Sequence, residues 1–186
     1  MITLREAFGA LWPTLQVLRR AFFSECGEDA VFLVALRPKG PGFYVDAGAF
    51  HPTDSSTTFK LYLKGWRGIT IEPNPDVAPL FKRLRPRDYH LAEGVSSKPN
   101  RLTWYQYPYP KLNTLSAARA AHMKNWIDCT LSTTTIACRP LQAVLDEVCP
   151  GQHVDFPSVD CEGRLLFCRW LRFLFRRCCG FCSGAC

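Results

Sequence analysis

Apolar residues recur at helical spacing near the N-terminus, at Leu4, Phe8, Leu11, Leu15, Leu18 and Phe22, with Pro13 interrupting the stripe. This predicts a surface helix pair over residues 1–23 that leads into the domain. A second helix, roughly Asp29–Leu36, closes at the breaker cluster Arg37-Pro38-Lys39-Gly40-Pro41-Gly42. From there the pattern alternates between two periods. Phe43-Tyr-Val-Asp46 and Gly68-Ile-Thr-Ile-Glu72 are short apolar runs ending in an acid, the signature of strands buried on both faces. Between them Asp54 or Ser55 is positioned to cap a helix through Phe59, Leu61, Tyr62 and Leu63, which Gly65 ends. After the second run, Asp76 is a plausible cap for a helix carrying Val77, Leu80, Phe81 and Leu84, with Pro79 tolerated in its first turn.

The alternation continues with a strand expected near Tyr89–Val95 and a Tyr-, Thr- and Asn-rich stretch over 101–137 that reads as strand and loop, with helix near Ala117–Trp126. Leu141, Val144, Leu145 and Val148 mark another helix, and Val154-Asp-Phe-Pro-Ser-Val-Asp160 a further buried strand ending in an acid. Strands and helices in this order predict an α/β fold: a Rossmann-like parallel sheet with helices on both faces. Right-handed crossovers then bring the strand C-termini to one edge, where such sheets bind ligands.

With 186 residues, 47% apolar and 21% charged, the chain can build a core of its own, and no run is long enough to span a membrane. The opening residues lack the basic and apolar regions of a secretory signal, and no internal repeat is visible. The net charge of +7 is concentrated at the end: residues 164, 169, 172, 176 and 177 are arginines with no acid among 164–186. Upstream, eighteen basic residues face sixteen acidic ones, so basicity there gives no reason to expect nucleic acid as a partner. Six of ten cysteines, Cys161, Cys168, Cys178, Cys179, Cys182 and Cys186, share the same end, while Cys26, Cys129, Cys138 and Cys149 are scattered like ordinary buried thiols. A reducing, cytoplasmic setting is expected.

The chemistry is expected at the strand ends. Asp46 is followed by Ala47-Gly48-Ala49, small residues that let a ligand approach the backbone, and Glu72 lies 26 residues downstream, about where a nucleotide-binding βαβ unit carries its ribose-binding acid. A carboxylate accepts hydrogen bonds from both ribose hydroxyls. A dinucleotide needs Gly-x-Gly-x-x-Gly, whereas Asp46-Ala-Gly-Ala-Phe-His-Pro has one glycine followed by bulky residues, and no Gly-Lys-Ser/Thr phosphate cradle is present. A nucleoside without phosphates, such as S-adenosylmethionine (SAM), fits better.

Five blocks in order, Ser24-Glu-Cys-Gly-Glu-Asp29, Gly42-Phe-Tyr-Val-Asp-Ala-Gly-Ala-Phe-His-Pro52, Ser56-Thr-Thr58, Gly65-Trp-Arg-Gly-Ile-Thr-Ile-Glu-Pro-Asn-Pro75 and Asp155-Phe-Pro-Ser-Val-Asp-Cys-Glu-Gly163, resemble the FkbM-type methyltransferases over residues 24–163. The resemblance implies a class I SAM-dependent methyltransferase fold and O-methylation of a hydroxyl on a sugar, polyketide or related metabolite, so that the partner is a small-molecule or glycan acceptor. By position it implies Asp46, Gly48 and Ala49 at the methionine end of SAM, Glu72 on the ribose with Asn74 beside it, and Ser56 and Thr58 at the start of the next helix. Asp160 and Glu162 match the family's Asp-x-Glu-Gly and would face the transferred methyl, and His51 matches a frequent family position. A hydroxyl nucleophile needs in-line positioning and an acceptor for its proton. Asp160 is the first candidate for that role, then His51 and Glu162. No metal-ligand pattern precedes residue 160.

The chain departs from the family at Cys26, Pro157 and Cys161, and most of all after Gly163, where the Arg/Cys-rich residues 164–186 replace an acidic-apolar helix and three further strands. Three readings of this tail stand: a truncated or frameshifted end that leaves the sheet incomplete, a basic amphipathic helix on an anionic membrane surface, or a cluster of Cys178, Cys179, Cys182 and Cys186 holding metal or a redox bond. The first makes an inactive binding or membrane-surface fragment the alternative to an enzyme.

Overall fold

A computed structural model of the chain describes residues 22–36 and 39–160. The predicted helix pair before residue 22, Glu162 and the tail over 164–186 lie outside the described residues. The elements are α1 (Glu28–Leu36), β1 (Phe43–Ala47), α2 (Phe59–Leu63), β2 (Arg67–Ile71), α3 (Ala78–Leu84), β3 (Tyr89–Leu91), β4 (Gly94–Val95), β5 (Asn100–Gln106), α4 (Ala117–Met123), β6 (Ser132–Arg139), α5 (Leu141–Val148) and β7 (Phe156–Val159).

The expected parallel sheet is present, with strand order β3-β2-β1-β7 and every pair parallel. β1 is buried at all five positions, which is why it reads as an unbroken apolar run rather than an alternation. Its two faces feed separate clusters. Phe43, Val45 and Ala47 join Ile69, Ile71 and Val95 under α5, whose Leu141, Val144 and Leu145 form the inward stripe predicted from their spacing. Tyr44 faces the other way, into Leu61, Tyr62, Trp66 and Phe156, covered by Phe32, Leu33 and Leu36 of α1. Helices therefore lie on both faces, as a doubly wound sheet requires.

Pro157 does not weaken β7. The backbone N–H of Asp160 donates to Ala47 O (2.9 Å). A parallel ladder alternates its donors with period two, so Ser158 and Asp160 donate toward β1 and the missing N–H of Pro157 faces away from it. Asp155 ties the strand starts, its carboxylate accepting from Phe43 N–H and its own N–H donating to Phe43 O, each at 2.8 Å.

The strand expected near Tyr89–Val95 divides in two. Tyr89–Leu91 extends the parallel sheet beside β2, and Gly94–Val95 enters a second sheet of order β4-β6-β5, in which β6 runs parallel to β4 and antiparallel to β5. Glu93 sits at the step between the sheets and is held by the guanidinium of Arg139 at 2.7–3.0 Å. Among the described residues no helix is long and apolar enough to cross a membrane.

Candidate functional site

The chain runs outward from β1 through β2 to β3, then returns to place β7 on the other side of β1. The strand order thus reverses between β1 and β7, and a crevice outside the carboxyl ends at such a point is where doubly wound sheets bind ligands. A cavity of about 190 Å³ lies there, lined from β1 by Asp46 and the following Gly48, Ala49 and Phe50, from β2 by Ile71 and Glu72, and from β7 by Ser158 and Asp160. The second sheet and its loops close the opposite side with Trp104, Lys111, Asn113 and Thr114.

Two strands meet closely at this point because residue 48 is glycine. Its φ is +82°, and a Cβ there would stand 2.0 Å from Asp160 O. Gly48 and Ala49 both donate their N–H groups to Ile71 O, at 2.8 and 3.1 Å, so the turn after β1 is stitched across the end of β2. Beyond it the backbone passes through Phe50 at φ 53° and Ser55 at φ 51°, left-handed conformations uncommon outside glycine.

Glu72 is buried, and its two oxygens accept from Phe50 N–H (2.9 Å) and Asn74 N–H (2.9 Å). Burial pushes its carboxyl up to about 7, against the lowering effect of those two bonds. A carboxylate has about four acceptor positions, so two bonds leave capacity for a ligand. Asp46 is also buried, with its pKa raised by burial, and takes hydrogen bonds from Thr58 and Ser158. Asp160 is exposed on the cavity wall, and among the described residues no hydrogen bond or ion pair holds its carboxylate.

Asp46, Gly48, Ala49, Glu72 and Asp160 are therefore brought together as expected from the strand ends. Four other candidates are not on the cavity wall. Residues 55–58 alternate, Ser55 and Thr57 lining the cavity while Ser56 and Thr58 are 1% and 0% exposed beneath it. Asn74 caps the short turn of helix at Pro75–Val77, its side chain accepting from Asp76 N–H (3.1 Å). His51 serves its own loop, Nδ1 accepting from Asp54 N–H (3.0 Å) and Thr53 N–H (3.3 Å). A neutral imidazole with Nδ1 accepting carries its proton on Nε2 and has no second lone pair to offer as a base.

Nothing in the sequence pattern marks Arg85 and Asp88 as part of the site. Arg85 is fully buried below the cavity floor, ringed by Tyr44, Tyr62 and Phe81 with its guanidinium carbon 5.3, 5.5 and 5.7 Å from their ring centres. Its Nε donates to Asp88 Oδ2 (2.7 Å), and Asp88 also accepts from the Tyr44 hydroxyl and from Gly68 N–H. The only forewarning is that Arg85 follows Phe81 by four positions and continues the buried face of α3.

Among the described residues the cavity wall carries five carboxylates, of Glu25, Asp46, Glu72, Glu93 and Asp160, against the ammonium of Lys111. Glu25 pairs with Lys111 (3.1 Å) and Glu93 with Arg139. The remaining three leave an acidic interior suited to a cation or to hydroxyl donors and poorly suited to a phosphate. Comparisons of the chain with protein-family models, with curated proteins and with solved structures returned no match.

Proposed function

We propose that the cavity binds S-adenosylmethionine and that the protein transfers its methyl group to a hydroxyl of a sugar, polyketide or related acceptor, as the resemblance to the FkbM-type methyltransferases implies. The observation that carries this reading is the pair of buried acids, Asp46 and Glu72, at the ends of adjacent strands and on the wall of one cavity. Glu72 is placed to accept the two ribose hydroxyls with the acceptor capacity its backbone bonds leave over. Asp46 and the wall at Gly48 and Ala49 take the amino-acid end, and the acidic interior favours the sulfonium. Asp160, at the end of β7 beside β1, would accept the proton that the acceptor hydroxyl loses as its oxygen bonds to the methyl carbon and the carbon–sulfur bond breaks, leaving a neutral thioether. Ser56, Thr58 and Asn74 support the site from behind, and Glu162 lies outside the described residues.

The cavity of about 190 Å³ is smaller than the ~300 Å³ at which pockets for drug-sized ligands begin, so the reading requires the wall to yield when the whole cofactor enters. Isothermal titration with SAM tests it. The expected result is binding by the wild type and about a hundredfold weaker binding by Glu72→Ala, the loss of two hydrogen bonds to a charged acceptor. Affinity should also fall as pH drops below about 7, where Glu72 gains a proton. Folded wild-type protein that takes up no SAM overturns the proposal.

A further inference from the structure

The five N–H groups of Arg85 all have partners. Nε donates to Asp88, Nη1 to Ser56 Oγ (3.2 Å) and Pro52 O (3.5 Å), and Nη2 to the Tyr44 hydroxyl (2.7 Å) and Thr58 Oγ1 (2.8 Å). Thr58 Oγ1 is in turn 2.6 Å from Asp46 Oδ2. The chemistry fixes the direction of this chain. A guanidinium can only donate, so Thr58 Oγ1 accepts from it, and the one proton of the threonine hydroxyl is left for Asp46.

From this geometry we infer that Arg85 and Thr58 are positioning residues for Asp46, the guanidinium orienting the threonine hydroxyl so that its proton is always presented to the carboxylate oxygen on the inner side. The carboxylate, which also takes a hydrogen bond from Ser158 and lines the cavity, is thereby held from below at Oδ2. Arg85 is not on the cavity wall; it reaches Asp46 through the Thr58 hydroxyl and through its charge. The same guanidinium holds Ser56, whose Oγ accepts from Phe59 N–H (3.2 Å) at the start of α2, so the fork sets the loop over 52–58 and the strand-end acid together. A lysine could supply the charge but not the fork.

Asp46 lies among several charged groups. From β2 it is faced by Glu72, from the region after α3 by Arg85 and Asp88, from β1 by the Tyr44 phenol and from β7 by Asp160, with His90 of β3 bonded to Thr70 nearby. Burial and the nearby acids favour the neutral carboxyl, and the Thr58 proton and the Arg85 charge favour the carboxylate. Removing the hydroxyl shifts this balance in one direction only.

The test is a carbon-13 titration of the aspartate carboxyls in the wild type, Thr58→Val, Thr58→Ser and Arg85→Lys, with SAM affinity measured on the same samples. Thr58→Val should raise the Asp46 midpoint by about one pH unit, a tenfold change in proton affinity; Thr58→Ser should restore it, and Arg85→Lys should raise it by less. If Thr58→Val does not fold, Thr58→Cys, a weak donor of similar size, is read instead with the same expected direction. An Asp46 midpoint unmoved by loss of the hydroxyl overturns the inference, and one unmoved in Arg85→Lys removes Arg85 from it. The consequence for the ligand, about tenfold weaker SAM binding in Thr58→Val, rests on the function proposed above. A wild type that binds no SAM while its Asp46 midpoint still follows Thr58 sinks that function and leaves the positioning role standing.

Discussion

The two sheets solve the same packing problem in opposite ways. In the parallel sheet β1 is buried at every position and β2 at all but its first, so neither face is spared and the polar groups that remain must be bonded inside. In the three-stranded sheet only one face is covered: Leu102 and Trp104 of β5 and Ile136 and Cys138 of β6 turn inward, while Arg101, Thr103, Thr133 and Thr135 are exposed. The first sheet delivers desolvated carboxylates to the cavity floor, above the guanidinium buried at the end of α3, and the second closes the cavity with one wet face to spare. Substitutions should therefore cost most where two strands of the first sheet converge and least on the outer face of the second.

The largest effect is expected at Gly48. Alanine there must adopt φ +82° with its Cβ 2.0 Å from a backbone carbonyl of Asp160, so either the turn or the β1–β7 pairing has to move. Gly48→Ala should lower stability by about 3 kcal/mol or more, read as the shift in urea midpoint at constant slope. An unchanged midpoint would mean that the two strand ends are not locked together.

Next comes Glu72, whose burial sets a sign that can be checked. Its carboxyl is raised from 4.5 to about 7 in the folded protein, so the fold binds more protons than the unfolded chain within that window. Stability from this group is therefore greatest below about 4.5, falls as pH rises to about 7 and is flat above. Subtracting the stability of Glu72→Gln from that of the wild type cancels Asp88 and His90, whose own shifts are common to both proteins, and leaves Glu72 together with its coupling to Asp46. The difference should fall by up to about 3 kcal/mol across the window. A difference that stays level would place Glu72 in water.

The same contrast explains what could be read before any coordinates. The buried strands announced themselves because continuous apolar runs bounded by Gly and Pro have few alternatives, and their terminal acids Asp46, Glu72 and Asp160 were found with them. The second sheet was legible only as strand and loop. Its outer face is threonine-rich, and β5 and β6 are parted by the excursion over 107–131 that carries α4, so no hairpin turn marks their pairing. Residues 55–58 show a subtler limit. Four consecutive hydroxyl side chains give no hint of which pair faces the cavity; Ser55 and Thr57 line it, and Ser56 and Thr58 turn to Arg85. Arg85-Pro-Arg-Asp88 has the composition of an exposed turn. A buried cation becomes visible only when all its acceptors have been placed around it.

The smallest effects test whether the sheets differ as described, with threonine as the common probe. Thr70 of β2 is 0% exposed and its hydroxyl lies 3.0 Å from His90 Nδ1. The His90 ring stacks on Phe81, its buried Nε2 has no partner among the described residues, and burial holds its pKa down at about 4. Thr70→Val keeps the shape and strips the ring of its one bond, which should cost about 1–2 kcal/mol, the desolvation penalty of a stranded polar group. Thr135 stands opposite Thr103 on the wet face of the antiparallel pair, where water replaces whatever the hydroxyl gives up. Thr135→Val should stay within about 0.5 kcal/mol of the wild type, and valine's strand preference can make it slightly stabilising. Equal costs at the two positions would mean that the outer face of β6 is covered, and the division between a dry sheet and a half-wet one would fail.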